Sequence, residues 1–114
     1  MNEFERRVAA VLEECGWCVV AKGKGYDLLA LKPNIALLIE CKGWNRCIKG
    51  KTLRRIVGRL KKEYRELDTE LVKGREVIPV LVVADRIEDM YRTDPVRVFD
   101  FESFRKFLKI KGKS

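Results

Sequence analysis

Glu40-Cys41-Lys42 is the one place in this 114-residue sequence where an acid and a lysine stand in the order acid-x-Lys. In a chain this charged about two such triplets would arise by chance, so the spacing gains weight only from its surroundings. The triplet closes the most apolar stretch of the chain, Ile35 to Cys41. Ending a buried run with two charges is costly unless they share a task. Side chains alternate along a strand, so Glu40 and Lys42 point to one face and Cys41 to the other. Asp27 opens an earlier apolar run, just after a glycine turn. If the two runs pair antiparallel across Lys32-Pro33-Asn34, the start of one lies beside the end of the other. Asp27 and Glu40 are then neighbours, and such carboxylates repel unless they share a proton or a cation.

Two carboxylates beside a lysine suit metal-assisted hydrolysis of a phosphodiester. Mg²⁺ is bound by one or two carboxylates, waters and substrate phosphate oxygens, with no full protein cage required. It polarises the phosphate and acidifies a bound water. A neighbouring lysine can orient that water or stabilise charge developing on the phosphate. The chain has no His, which excludes a Ser-His triad or a His-pair ribonuclease mechanism. The metal route needs none.

The elements that must position these residues follow from periodicity. Phe4, Val8, Val11, Leu12 and Cys15 line one face of a helix from about Glu3 to Cys15, with Glu5 at the border of that face. Trp17 to Ala21, Tyr26 to Leu31 and Ile35 to Cys41 read as strands, close enough in sequence to form an antiparallel meander. A long helix is expected from about Thr52 to Val72, with the stripe Leu53, Ile56, Val57, Leu60, Tyr64, Leu67 and Leu71. Val77 to Ala84 follows as a strand, as in a βαβ crossover. Val96 to Phe99 is a short strand, Phe101 to Leu108 a last amphipathic helix, and Lys109 to Ser114 a frayed basic tail. The order α-β-β-β-α-β describes an α/β domain, a mixed sheet flanked by helices, with residues 1–114 forming one domain.

Charge points to the partner. The net balance is +8. Residues 1–42 are neutral overall, whereas residues 43–75 hold 11 basic and 4 acidic side chains. That concentration is expected of a footprint for a phosphate backbone, hence for DNA. The candidate contacts are Lys22 and Lys24 in the turn before Asp27, Arg46 and Lys49 in the loop after Lys42, and Lys51, Arg54, Arg55 and Arg59 on the helix. Abundant Lys, Arg and Glu with no Gln resembles a thermophile composition. The acidic start shows no signal-peptide pattern and no run is long enough to span a membrane, so a cytoplasmic protein is expected. Cys15, Cys18, Cys41 and Cys47 match no metal-binding spacing and are expected to be buried free thiols.

Asp27 followed by Glu40-x-Lys42 on this order of elements resembles the PD-(D/E)XK nuclease superfamily, with its restriction-endonuclease-like core, and most closely its archaeal Holliday-junction-resolvase-like members. The resemblance covers residues 3–42 well and the later helix and strand in outline. It implies a DNA endonuclease dependent on Mg²⁺ or Mn²⁺, selective for branched DNA, in recombination or repair. Asp27 and Glu40 would be metal ligands, the Cys41 carbonyl a third, and Lys42 the catalytic lysine. Glu5 would match the first-helix acid that reaches the metal directly or through water. Two cuts on a branched substrate call for two sites, so a homodimer is the corresponding assembly. Tyr26 stands where the motif often has Pro, and the segment from Lys22 to Tyr26 is shorter than the basic loop of many resolvases. The alternatives are an exonuclease or a single-strand or flap nuclease of the same fold, and a basic DNA-binding module without catalysis.

Overall fold

The computed structural model describes residues 1–23 and 25–112, without the side chains of 21–23 and 111–112. The element order is α1 (Glu3–Glu14), β1 (Cys18–Gly23), β2 (Tyr26–Lys32), β3 (Ile35–Lys42), α2 (Gly50–Glu66), a 3-10 turn (Glu70–Val72), β4 (Glu76–Val83), β5 (Arg97–Asp100) and α3 (Phe101–Gly112). The strands form one sheet in the order β1-β2-β3-β4-β5. β1, β2 and β3 pair antiparallel, and β3-β4 and β4-β5 pair parallel. The expected mixed sheet is present, with α2 as the crossover from β3 to β4.

β3 is apolar from Ile35 to Ile39 because both of its faces are covered there. Leu37, Ile39 and Cys41 enter a core with Phe4, Val8 and Leu12 of α1 and Phe104 and Leu108 of α3. Ala36 and Leu38 enter the opposite core with Leu53, Ile56, Val57 and Leu60 of α2. Pro79, which has no N–H to give a ladder, lies in β4 one residue before its pairing with β5 begins at Val80.

α1 stops where its sequence says it should. Gly16 has φ +86°, its N–H donates to the Glu13 carbonyl, and the Trp17 N–H donates to the Leu12 carbonyl at 3.0 Å. This is a Schellman stop, in which glycine takes the left-handed position without steric cost. Trp17 and Leu12 are both buried in the α1-side core.

Three expectations need correction. The long helix ends at Glu66, not near Val72: Leu67 turns extended and Thr69 caps a separate 3-10 turn through its hydroxyl, which accepts from the Leu71 N–H. Asp68 and Thr69 favour such local bonds over a helix interior, and Leu71 is consequently 40% exposed instead of buried in the stripe. The last helix continues through Lys109 to Gly112 where fraying was expected. Of the four cysteines, all free, only Cys41 is buried, while Cys15 and Cys47 are half-buried and Cys18 is exposed. Among the described residues no helix is long and apolar enough to cross a membrane.

Candidate active site

The β2-β3 register decides which side chains meet. Leu28 lies opposite Ile39, so Asp27 and Glu40 take the next position, on the face that α2 covers. There the ladder gives way to a side chain: the Cys41 N–H donates to Asp27 Oδ2 at 2.8 Å. A carboxylate accepting a backbone N–H makes a charge-assisted bond, which fixes Asp27 against the end of β3. Glu40 and Lys42, two apart on that strand, form an ion pair at 3.2 Å with both side chains largely buried. The structure thus brings Asp27, Glu40 and Lys42 together.

Their electrostatics are strained. Burial is the main cause that pushes the Glu40 carboxyl up to about 7, the adjacent Asp27 charge adds to it, and Lys42 opposes it. Near neutral pH the pair is therefore poised between sharing a proton and accepting a cation. Cys41 projects to the other face, where burial first and then Asp27, Glu5 and Glu40 push its thiol well above the ordinary range. It is an inert core thiol and not a nucleophile.

Glu5 enters from the opposite layer. Asn2 caps α1 by accepting the Glu5 N–H at 2.8 Å, and the Asn2 side chain donates back to the Glu5 carboxylate at 3.2 Å. A residue at this position serves as a capping partner, and the same carboxylate lines an open cleft of about 430 Å³ with Asp27, Cys41, Lys42 and Trp44. Glu5 borders the site without joining the Asp27-Glu40 pair. Among the described residues there is no group of three or more His, Cys, Asp or Glu arranged to hold a metal. The donors that do meet, two carboxylates, are hard oxygens. They suit Mg²⁺, which needs only one or two carboxylates, and the costly buried charge of Glu40 is what a cation would relieve.

The cationic residues divide. Arg59, an exposed residue, lines a narrow gap with Glu40 and Gly25 beside α2. Arg54 lies on the other flank of that helix, its guanidinium 4.2 Å from the Tyr91 ring centroid. At about 100° per residue, Arg54 and Arg59 cannot share a face. Lys51 and Arg55 are exposed. Lys49 pairs with Glu88 at 3.8 Å, and Arg46 stacks on Trp44 at 4.6 Å. Lys24 and the side chain of Lys22 lie outside the described residues.

Two neighbours of the site escaped sequence reasoning. Glu63 projects from α2 against Gly25, whose φ of +83° favours glycine and where a Cβ would displace the Glu63 carboxylate. Its spacing along the helix from Ile56 and Arg59 was the available signal, masked by the surrounding charge. Gly43 is the other: a Cβ there would stand 2.7 Å from that of Phe4, so glycine lets the exit of β3 press on α1.

No family model matches the sequence, and no curated protein matches it. Among solved structures, the small subunit R.BspD6I2 of the heterodimeric restriction endonuclease R.BspD6I is similar, with a TM-score of 0.63 and 21% identity over 98% of this chain and 70% of that one. A protein of unknown function, AF1548, is similar with a TM-score of 0.58 and 16% identity over 84% of this chain and 55% of that one. At these identities the likeness is one of fold. The chain has a restriction-endonuclease-like α/β fold, and the nearer resemblance to archaeal junction resolvases gains no support from either neighbour.

Proposed function

We propose that this chain is a metal-dependent deoxyribonuclease of the PD-(D/E)XK type that hydrolyses phosphodiester bonds at Asp27, Glu40 and Lys42. The observation that carries the reading is the abutting carboxylate pair at the end of β3, with Glu40 pushed up to about 7 beside Asp27 and a lysine 3.2 Å away. A stability-driven protein would not retain a half-satisfied buried charge there, whereas a cation-binding one has a use for it.

Asp27 and Glu40 would hold Mg²⁺ or Mn²⁺, with the Cys41 carbonyl as a third oxygen and Glu5 reaching it through water. Once bound, the cation would polarise the phosphate and lower the pKa of a water. Asp27 contributes a carboxylate already oriented by the Cys41 N–H. With Glu40 engaged by a cation, the Lys42 ammonium would be available to the phosphate oxygens, where it would stabilise developing charge. Arg59, beside Glu40, and Arg46, in the loop after Lys42, would bind flanking phosphates, with Lys49, Lys51, Arg54 and Arg55 farther out. Branched DNA is the substrate we favour, cut by a homodimer.

One observation favours a second reading, a basic DNA-binding module without catalysis: no third acid completes the pair among the described residues. Incubating the purified protein with branched, duplex and single-stranded DNA, in Mg²⁺, Mn²⁺ or chelator, separates the two. Metal-dependent cleavage lost in Glu40→Gln with binding retained supports the nuclease. Binding with no cleavage of any substrate in either metal rejects it.

A further inference from the structure

Trp44 follows the catalytic strand by two residues and lines the cleft with Asp27 and Lys42. Its ring holds two cations. The Lys42 ammonium lies 5.4 Å from the ring centroid and the Arg46 guanidinium 4.6 Å. Indole is the strongest of the aromatic partners for a cation, and Arg46 is otherwise an exposed side chain. The Trp44 ring is half-buried and packs against the α2-side core.

The segment bearing this stack is tied down on every side. The Ala84 N–H donates to the Lys42 carbonyl at 3.0 Å, and Gly43 abuts Phe4. Beyond Arg46, Ile48 bridges to Ile87, and the Glu88 N–H donates to the Ile48 carbonyl at 3.2 Å. A loop secured at both ends around one aromatic ring presents its charges in a preset arrangement, which lowers the ordering cost of binding. Two cations within 5.4 Å of a single ring address one short stretch of backbone, where phosphates recur every ~3.4 Å of axis along a strand.

We propose that Trp44 is a positioning residue that sets a two-cation clamp, holding Lys42 for the scissile phosphate and Arg46 for a phosphate next to it. The catalytic half rests on the nuclease reading above; the binding half does not. Lys42 sits between two attractors, the Glu40 carboxylate and the indole face. When a cation occupies Glu40, the indole keeps the ammonium at the cleft in place of letting it swing into solvent.

The test compares wild type with Trp44→Leu, Trp44→Phe, Arg46→Ala and the Trp44→Leu/Arg46→Ala double variant, each first checked for a native melting transition. DNA binding is read by fluorescence anisotropy against salt in chelator, where nothing is cut, and cleavage by single-turnover and steady-state kinetics in Mg²⁺. Trp44→Leu is expected to lower the salt slope by part or all of the ~0.9 that one phosphate contact contributes. It should also lower kcat by about three- to thirtyfold, the range a desolvated cation-π contact supports. Trp44→Phe, which keeps a ring face, should recover most of both. The double variant should lose no more slope than Arg46→Ala alone, because the two act as one unit. Should slope and kcat both survive Trp44→Leu, or should the two slope losses add, the clamp is wrong. A wild type that binds but never cuts defeats the nuclease reading while the slope comparison still decides the Arg46 half. A Trp44→Leu protein that fails to melt cooperatively hands the decision to Trp44→Phe, whose slope must then stay near wild type.

Discussion

Replacing Glu40 with Gln should make the metal-free protein more stable at about pH 8 while removing its proposed chemistry. Glu40 has its folded-state pKa raised from 4.5 to about 7, with burial as the first cause and Asp27 as the second. Between those values the native state binds more protons than the unfolded chain. The stability associated with the neutral carboxyl is therefore complete below the unfolded value and is lost as pH rises through about 7. At 1.36 kcal/mol per pKa unit the full loss is at most about 3 kcal/mol, and solvent screening of this half-buried pair reduces it. Gln is neutral and nearly isosteric but forfeits the Lys42 ion pair, so a gain of about 1–3 kcal/mol near pH 8 is expected, shrinking towards zero near pH 4. Urea unfolding in chelator at both pH values reads this as a shift in midpoint at constant slope. Millimolar Mg²⁺ should then raise the wild-type midpoint and leave Glu40→Gln unmoved. A variant less stable than wild type near pH 8 would show that the carboxylate is satisfied as it stands, and would remove the physical case for a cation there.

The Asp27 bond can be isolated by comparing two substitutions. Asp27→Asn keeps an acceptor for the Cys41 N–H and Asp27→Ala does not, so Asp27→Ala should be less stable by about 1–3 kcal/mol in chemical denaturation, with both inactive. Gly43→Ala must push β3 away from Phe4 and should cost about 1–3 kcal/mol and reduce cleavage, seen in melting and single-turnover assays. Arg59→Ala should lower the salt slope of DNA binding by about 0.9, whereas Arg54→Ala, on the opposite flank of α2, should change it far less.

Much of this was legible in residues 27–42. The apolar run of β3 with charges only at its end fixed which strand is central, and the Pro33-Asn34 connection fixed how Asp27 returns to Glu40. Alternation did the rest. The helix break at Leu67 was hidden because apolar residues keep helical spacing through Leu71, and periodicity does not register that the Thr69 hydroxyl accepts the Leu71 N–H locally. The separation of Arg54 from Arg59 was in principle available from the helical angle, yet which flank meets Glu40 depends on how α2 packs. The stacking of Lys42 and Arg46 on Trp44 depends on side-chain geometry, which periodicity does not carry. Glu5 reads at once as a cap partner and as a cleft acid, because the N-terminus of α1 lies where β3 ends.

The bond between Asp27 and the Cys41 amide spans only 14 positions of sequence, and its consequence concerns folding order. Closing a chain segment so short costs little entropy compared with joining β3 to β4 around α2. The two acids are thus brought together by one hairpin, before the parallel half of the sheet needs to exist. Substitutions at the β5 edge, which pairs only with β4, should speed unfolding more than they slow folding. The expected order of assembly is thus the acid-bearing hairpin first and the parallel strands after it, which φ-values at Asp27 and in β5 would check.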